Sequence, residues 1–427
     1  MNEDDSEQMA SLLMQMGYSP TSDIEDADVI LLNTCSVRAK PEQKVRSKLG
    51  ELSELKERKP DLIIGVCGCM AQKEGEAIRK RAPHVDLIVG TANINRIPEL
   101  ISDVKRNRRP LASLDLPRNP GDEPVLPSRM RRESPEIKAF LPIMYGCDNF
   151  CAYCVVPYVR GKERSRPPAE IIGEAEELAA HGFKEVTLLG QNVNSYGRTL
   201  EEPVSFAALL GALDRVGLER IRFVTSHPKD ISDELIRAMA ELKHICENLH
   251  LPIQSGDDEV LRGMRRGYTV ERYTDKLDRL RRAIPDIAVT TDFIVGFPGE
   301  TEQQFENTLA VVRELRFDAA FMFAFNQIPN TAAAKMQGNI DGAEKNRRLR
   351  ELISVQNAIT IENNESQVGR EFEVLVEGKS PKDCSKLTGL TRQNKTMNFP
   401  CEQNLSGNVV RVRAVSAHLW GFSGELV

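Results

Sequence analysis

The chain has 427 residues, 41% hydrophobic and 28% charged, with a formal net charge of -6. That length exceeds one ordinary core and predicts two or three domains, and no apolar run is long enough for a membrane-spanning helix. The net negative charge excludes a uniformly basic nucleic-acid binder but leaves room for local basic patches.

The acidic start "MNEDDSEQMA" carries no secretory or organellar leader pattern, so a cytoplasmic protein is expected. Asp5 to Met16 reads as a helix stopped at Gly17, followed by the apolar run "DVILLN". A charged helical stretch over Pro41 to Lys59 precedes two more strand-like runs, "DLIIGVCG" from Asp61 and "HVDLIVG" from His84. Helices between apolar strands imply a covered parallel sheet, which predicts an open α/β domain over 1–104. Residues 105–137 are rich in Pro and Arg without periodicity and read as a linker.

Over 138–366 six strand-like runs alternate with helical stripes: "AFLPIMYG", "KEVTLLG", "IRFVTS", "ENLHLPI", "AVTTDFIVG" and "DAAFMFAF". Six βα repeats fit either an open doubly wound sheet or a partial barrel, and periodicity does not separate them. From 367 to 427 the chain turns to short β-rich runs split by turn residues, as in a small β-barrel.

Nine cysteines in a reducing compartment point to metal binding or catalysis rather than disulfides. Three of them, Cys147, Cys151 and Cys154, fall in "YGCDNFCAYCVVPYVR", just after the first strand of the repeat region. Structural zinc wants a fourth ligand, and none follows at a suitable spacing; three thiolates on a 4Fe-4S cluster leave one iron open for chemistry. The strand's C-terminal end is also where ligands bind in α/β architectures. A structural zinc knuckle is the competing reading of the three thiols.

The Cys-x-x-x-Cys-x-x-Cys spacing with Tyr153 before the last cysteine resembles the radical S-adenosylmethionine (SAM) enzymes. "NTCSVR", "GCMAQ", "YVRGKERSR", "TSHP", "LHLPIQSGDDEVLRGMRRGYT" and "TDFIVGFPGET" resemble, along almost the whole chain, the radical SAM methylthiotransferase family, on its tRNA-modifying branch. The resemblance implies an N-terminal methylthiotransferase domain, a radical SAM (βα)6 partial barrel and a C-terminal TRAM domain that engages RNA. It also implies two 4Fe-4S clusters and SAM as cofactors. Cys147, Cys151 and Cys154 match the ligands of the radical-generating cluster, and Cys35 and Cys69 match two ligands of an auxiliary cluster. Tyr153, Gln191, Asn192, Gly296 and Glu300 occupy the places of SAM contacts.

The implied reaction adds a methylthio group at C2 of N6-isopentenyladenosine next to a tRNA anticodon, so the implied partner is the anticodon stem-loop, bound by a monomer with no membrane role. The sister activity on an aspartate of a ribosomal protein, and a catalytically impaired RNA-binding iron–sulfur protein, are the alternatives. "LTRQNKTMNF" resembles the TRAM nucleic-acid loop, and Arg160, Lys162, Arg164 and Arg166 are placed to hold a phosphate beside the target base. Two departures accompany the match. "FNQIPNT" at Phe325 stands where the family carries an arginine, and the family's first auxiliary cysteine would fall upstream of Met1, so an upstream start is expected unless Cys67 substitutes as a ligand.

Overall fold

The computed structural model describes residues 1–35, 39–117 and 137–427. The N-terminal unit runs α1 (Asn2–Gln15), β1 (Val29–Thr34), α2 (Ala39–Arg58), β2 (Ile63–Gly68), α3 (Cys69–Glu74), α4 (Glu76–Arg81), β3 (Leu87–Val89), α5 (Ile97–Asn107) and β4 (Leu111–Ser113). Its sheet is four-stranded and parallel in the order β1-β2-β3-β4. Alternation along β2 assigns the faces: Ile64 and Val66 pack with Leu49 and Leu52 of α2, while Ile63 and Cys67 pack with Met9 of α1 and Ile97 and Ile101 of α5. Both faces are covered, as the apolar strands require.

Leu111–Ser113 corrects the linker expectation, since three residues of that stretch pair in register with Leu87–Val89 and add an edge strand to the sheet. A strand that short leaves no periodicity to read. Residues 118–136 of the expected linker lie outside the described residues.

The central unit runs β5 (Lys138–Pro142), β6 (Met144–Tyr145), α6 (Val156–Val159), β7 (Arg164–Ser165), α7 (Pro168–Ala180), β8 (Glu185–Leu189), α8 (Phe206–Leu213) and β9 (Arg220–Phe223). It continues through α9 (Asp233–Glu241), β10 (Asn248–His250), α10 (Asp258–Gly263), α11 (Val270–Ala283), β11 (Ala288–Val295), α12 (Glu302–Leu315), β12 (Ala319–Ala324) and α13 (Gly342–Glu365). Two parallel sheets, β5-β8-β9 and β10-β11-β12, join through a parallel bridge between Ile221 and Ile245. The six strands therefore form the partial barrel. Val289, Phe293 and Val295 of β11 pack with the surrounding helices, whose inward stripe includes Tyr273, Leu277 and Leu280. Thr290, Asp292 and Ile294, on the opposite face of the same strand, line the inside.

The last unit is a closed five-stranded barrel, β13 (Glu371–Lys379), β14 (Lys386–Thr391), β15 (Thr396–Pro400), β16 (Val409–His418) and β17 (Gly421–Leu426), in the order β13-β14-β15-β17-β16. It docks on the N-terminal ends of the central strands through buried cations. Arg220, with no exposed surface, donates to Leu390 O at 2.7 Å and Glu373 O at 3.0 Å. Arg222 donates to Arg392 O and Thr391 O, both at 2.7 Å. The opposite end of the central barrel is left for the cysteine loop.

Candidate active site

Cys147, Cys151 and Cys154 lie between β6 and α6, past the C-terminal end of β5. Antiparallel pairing of Met144 with Ser165 and of Tyr145 with Arg164 clasps the base of their loop. Inside it, Cys147 N donates to Gly161 O at 3.2 Å and Cys154 N to Cys151 O at 3.0 Å. Two side chains reach the sulfurs: Asn149 Nδ2 donates to Cys147 Sγ at 3.5 Å, and Arg266 Nη1 to Cys151 Sγ at 3.3 Å.

Burial pushes the Cys147 thiol up to about 11 and the Cys154 thiol up to about 12, and the neighbouring Cys151 adds to both shifts. The Cys147 and Cys154 thiols, which burial keeps from ionising, suit a cationic iron cluster, which deprotonates its ligands on binding. Among the described residues no three such donors already converge on a metal-binding centre. Arg266 was missed by sequence reasoning. It sits in the segment "RGMRRGYT", but it is 115 residues from Cys151 and only the fold brings the two together.

Tyr153 packs against an apolar cluster that includes Ala152, Val260, Met264 and Phe297, the last of these in the Gly296–Glu300 turn. Gly296 has φ 72°, and a Cβ there would collide with the Lys345 side chain. Glu300 closes the turn: its Oε2 accepts from Gly296 N at 2.6 Å and from Arg348 Nη1 at 2.9 Å, while its Oε1 is buried with no partner among the described residues.

A second group of unpartnered polar atoms follows β8 and β9. Both amide atoms of Gln191 and of Asn194, Asn192 Oδ1, Ser226 Oγ and His227 Nε2 are buried without a partner among the described residues. Val193 N donates to Thr225 O at 3.1 Å and ties the two loops together; Asn192 Nδ2 is held by Asp230 Oδ2 at 2.7 Å. Each unpaired buried polar group costs about 1–3 kcal/mol, so such a concentration at the strand ends fits a polar ligand. The amino, carboxylate and hydroxyl groups of SAM are of that kind.

Cys35 and Cys69 each stand one residue past a strand, where Thr34 of β1 pairs with Gly68 of β2. Parallel register therefore brings the two thiols together. A hydrogen bond between them, and then burial, push the Cys69 thiol well above its usual range. Gly68, at φ 82°, turns the chain from β2 into α3 and breaks the strand alternation that would have aimed Cys67 and Cys69 alike. Cys67 instead packs in the core among Met9, Leu12 and Val89, and burial pushes its thiol up to about 12. It is not grouped with Cys35 and Cys69.

The two cysteine sites adjoin. Cys69 packs on Val155 and Val159, immediately past Cys154, and Arg160 hydrogen-bonds both Cys69 and Asp5. This corrects the phosphate-binding expectation for "YVRGKERSR". Arg160 and Arg164 are buried, Arg164 donating to Lys162 O, and Arg166 is held by Glu174 at 2.9 Å. Of the four, Lys162 alone is exposed.

Three families match along this architecture: "Uncharacterized protein family UPF0004" over 1–90, the Radical SAM superfamily over 141–312, and the TRAM domain over 365–427. The tRNA-2-methylthio-N(6)-dimethylallyladenosine synthase of Moorella thermoacetica is 49% identical, over 100% of this chain and 96% of its own length. The proteins of that name from Clostridium novyi and Bacillus pumilus are each 46% identical over the whole of this chain. The chain belongs to the tRNA-2-methylthio-N(6)-dimethylallyladenosine synthase family.

Solved structures share its fold at low identity. The radical SAM methyltransferase TsrM of Kitasatospora setae is 17% identical with a TM-score of 0.58, over 77% of this chain and 73% of that one. The cobalamin-dependent SAM radical enzyme OxsB is 14% identical with a TM-score of 0.51, over 83% of this chain and 55% of that one.

In this synthase-family chain the TRAM turn is partly spent on docking, a correction to the reading of "LTRQNKTMNF" as an RNA loop. Arg392 donates to Glu247 Oε2 at 2.7 Å and Ile245 O at 2.6 Å, and Lys395 to Asp318 and Asn364, both at 2.8 Å. Neither cation is free for a phosphate. Among the described residues no helix is long and apolar enough to cross a membrane.

Proposed function

We propose that this chain adds a methylthio group at C2 of the adenine in N6-isopentenyladenosine beside a tRNA anticodon. The observation that carries the reading is identity of 45–49% over the full chain with synthases of that name. The adjoining of the two cysteine sites supports it, because methylthiolation needs a sulfur-bearing centre and a radical-generating centre within reach of one base.

Cys147, Cys151 and Cys154 hold the radical-generating 4Fe-4S cluster, and Cys35 with Cys69 hold part of an auxiliary one. Bound there, cluster and SAM would supply one-electron chemistry, driven by an external reductant. The chain's own residues do the rest. Gln191 and Asn192 would take up polar groups of SAM, Tyr153 and the Gly296–Glu300 turn would offer it further contacts, and the apolar packing around Tyr153 would help to exclude water. Arg266 keeps a fixed positive charge beside Cys151. The target base, in a single-stranded loop, can be splayed out of its stack to reach this end of the barrel.

Mass spectrometry of tRNA nucleosides from cells with and without the chain tests the reading: 2-methylthio-N6-isopentenyladenosine is expected only with it. A methylthiolated ribosomal protein in place of modified tRNA would assign the sister activity, and bound RNA with no product would leave an impaired RNA-binding protein. Iron counting after anaerobic reconstitution tests the second cluster, with about eight irons per chain expected against about four for one cluster.

A further inference from the structure

Phe150 and Tyr158 stand at the mouth of the cysteine site and point into solvent. They are 44% and 49% exposed, among the largest exposed apolar side chains of the described residues. Their ring centroids lie 6.1 Å apart at 78°, an edge-to-face pair that leaves ring surface uncovered. Phe150 lies between Cys147 and Cys151 and is held at φ 42°, a left-handed conformation that a bulky residue rarely adopts and that collects at functional sites.

Two lysines meet the loop that carries Phe150. Lys229 hydrogen-bonds the side chain of Asn149, next to Phe150, and the exposed Lys162 follows Gly161, whose carbonyl accepts from Cys147 N. Exposed aromatic faces beside positive charges are the arrangement by which proteins hold unpaired nucleotides, the rings stacking on bases and the cations meeting phosphates.

We propose that Phe150 and Tyr158 form a stacking platform for the RNA base next to the modified adenosine; this rests on the RNA-substrate reading above. Extruding the target base strips its neighbour of a stacking partner, and a ring at the rim of the site replaces it. Stacking on a ring face is indifferent to base identity, so the platform sets how the loop enters rather than which sequence it carries.

The test uses the iron-reconstituted full chain and an anticodon stem-loop RNA carrying the prenylated adenosine, with fluorescent 2-aminopurine at the flanking position. Wild type is expected to quench the probe on binding. Tyr158→Ala and Phe150→Leu are expected to lose the quench and to raise KM for RNA about ten-fold each, and Tyr158→Phe to behave as wild type. If Phe150→Leu loses iron, Tyr158→Ala decides the matter, because that side chain lies on α6 outside the cysteine loop. Unchanged quenching and KM in Tyr158→Ala would overturn the platform, as would a KM for SAM that rises in step with that for RNA, which would assign the rings to SAM. Intact quenching without methylthiolated product from wild type sinks the functional reading and leaves the platform standing; product with unaffected variants does the reverse.

Discussion

Arg160 donates a 2.5 Å hydrogen bond to Asp5, joining the segment just past Cys154 to the first helix of the chain. Both side chains are nearly sealed from solvent, at 8% and 3% exposure. Burial alone works against the charge on Arg160, but Asp5 and then the Cys69 thiol outweigh it and hold the guanidinium ionised. A single arginine thereby connects the domain that carries Cys35 and Cys69 to the one that carries the three-cysteine loop.

Breaking that pair from one side leaves a buried carboxylate without a partner. Arg160→Met is expected to destabilise the protein by about 3–5 kcal/mol and to loosen the contact between the two domains. The double variant Asp5→Asn with Arg160→Met removes both charges and should recover much of the loss. Urea unfolding of the wild type, the single and the double variants checks this; a single variant as stable as wild type would show the pair to be worth little.

The three-cysteine loop calls for a different outcome, loss of function without loss of fold. Cys151→Ala deletes a thiol that no helix or strand depends on, so the circular dichroism spectrum should be retained. Iron bound after reconstitution should fall by about four per chain, and 5'-deoxyadenosine should no longer form from SAM. Cys35→Ala is the contrast: it should lower iron content yet leave SAM cleavage in place. Retained SAM cleavage by Cys151→Ala would refute its assignment.

The cysteine spacing is legible because each thiol of that trio is supplied by neighbours in sequence, and the strands are legible because their apolar runs are long enough to show. "AVTTDFIVG" corresponds to Ala288–Val295, and "KEVTLLG" to Glu185–Leu189. What stays hidden depends on contacts between distant segments. Nothing near Arg160 in the sequence says that Asp5, 155 residues away, will turn it inward, and nothing near Arg392 says that Glu247 will take it. An arginine in a sequence reads as a phosphate ligand until the fold supplies a carboxylate. Cys67 misleads for a local reason: Gly68 leaves the extended conformation, so the two-residue periodicity stops one residue too early.

The same buried arginines change what truncation can test. Deleting Gln367–Val427 is a natural way to probe RNA binding, but it would strip Arg220 and Arg222 of four backbone acceptors: Leu390, Glu373, Thr391 and Arg392. The truncated chain is therefore expected to lose stability and SAM binding along with RNA binding. Arg220→Met in the full chain should weaken docking of the C-terminal barrel by about 3 kcal/mol, since hydrogen bonds from a charged donor contribute about 1.5–3 kcal/mol each. Limited proteolysis between the central and C-terminal units measures it; cleavage at the wild-type rate would mean that the cation does not hold the barrel.

His227 sets a pH dependence whose sign follows from its surroundings. Its Nδ1 accepts from Lys229 N at 3.3 Å, so the proton of the neutral ring is on Nε2, which is buried without a partner among the described residues. Burial, and then the charges of Arg266, Lys229 and Lys276, push its pKa from 6.5 down to about 2. Asp230, two residues from Pro228, and the Tyr268 ring at 5.8 Å are the other groups facing this region. With the folded value depressed, the unfolded chain binds the proton first. The contribution of neutral burial is fully present above pH 6.5 and is lost as pH falls from there toward 2, at about 1.4 kcal/mol per pH unit for one proton. Relative to wild type, His227→Gln is expected to flatten the fall in stability between pH 6.5 and 5 by about one proton's slope. Denaturant unfolding at several pH values in that window measures the two slopes. Equal slopes would mean that His227 takes up its proton as readily in the folded protein as in the unfolded chain, and that its ring is open to water.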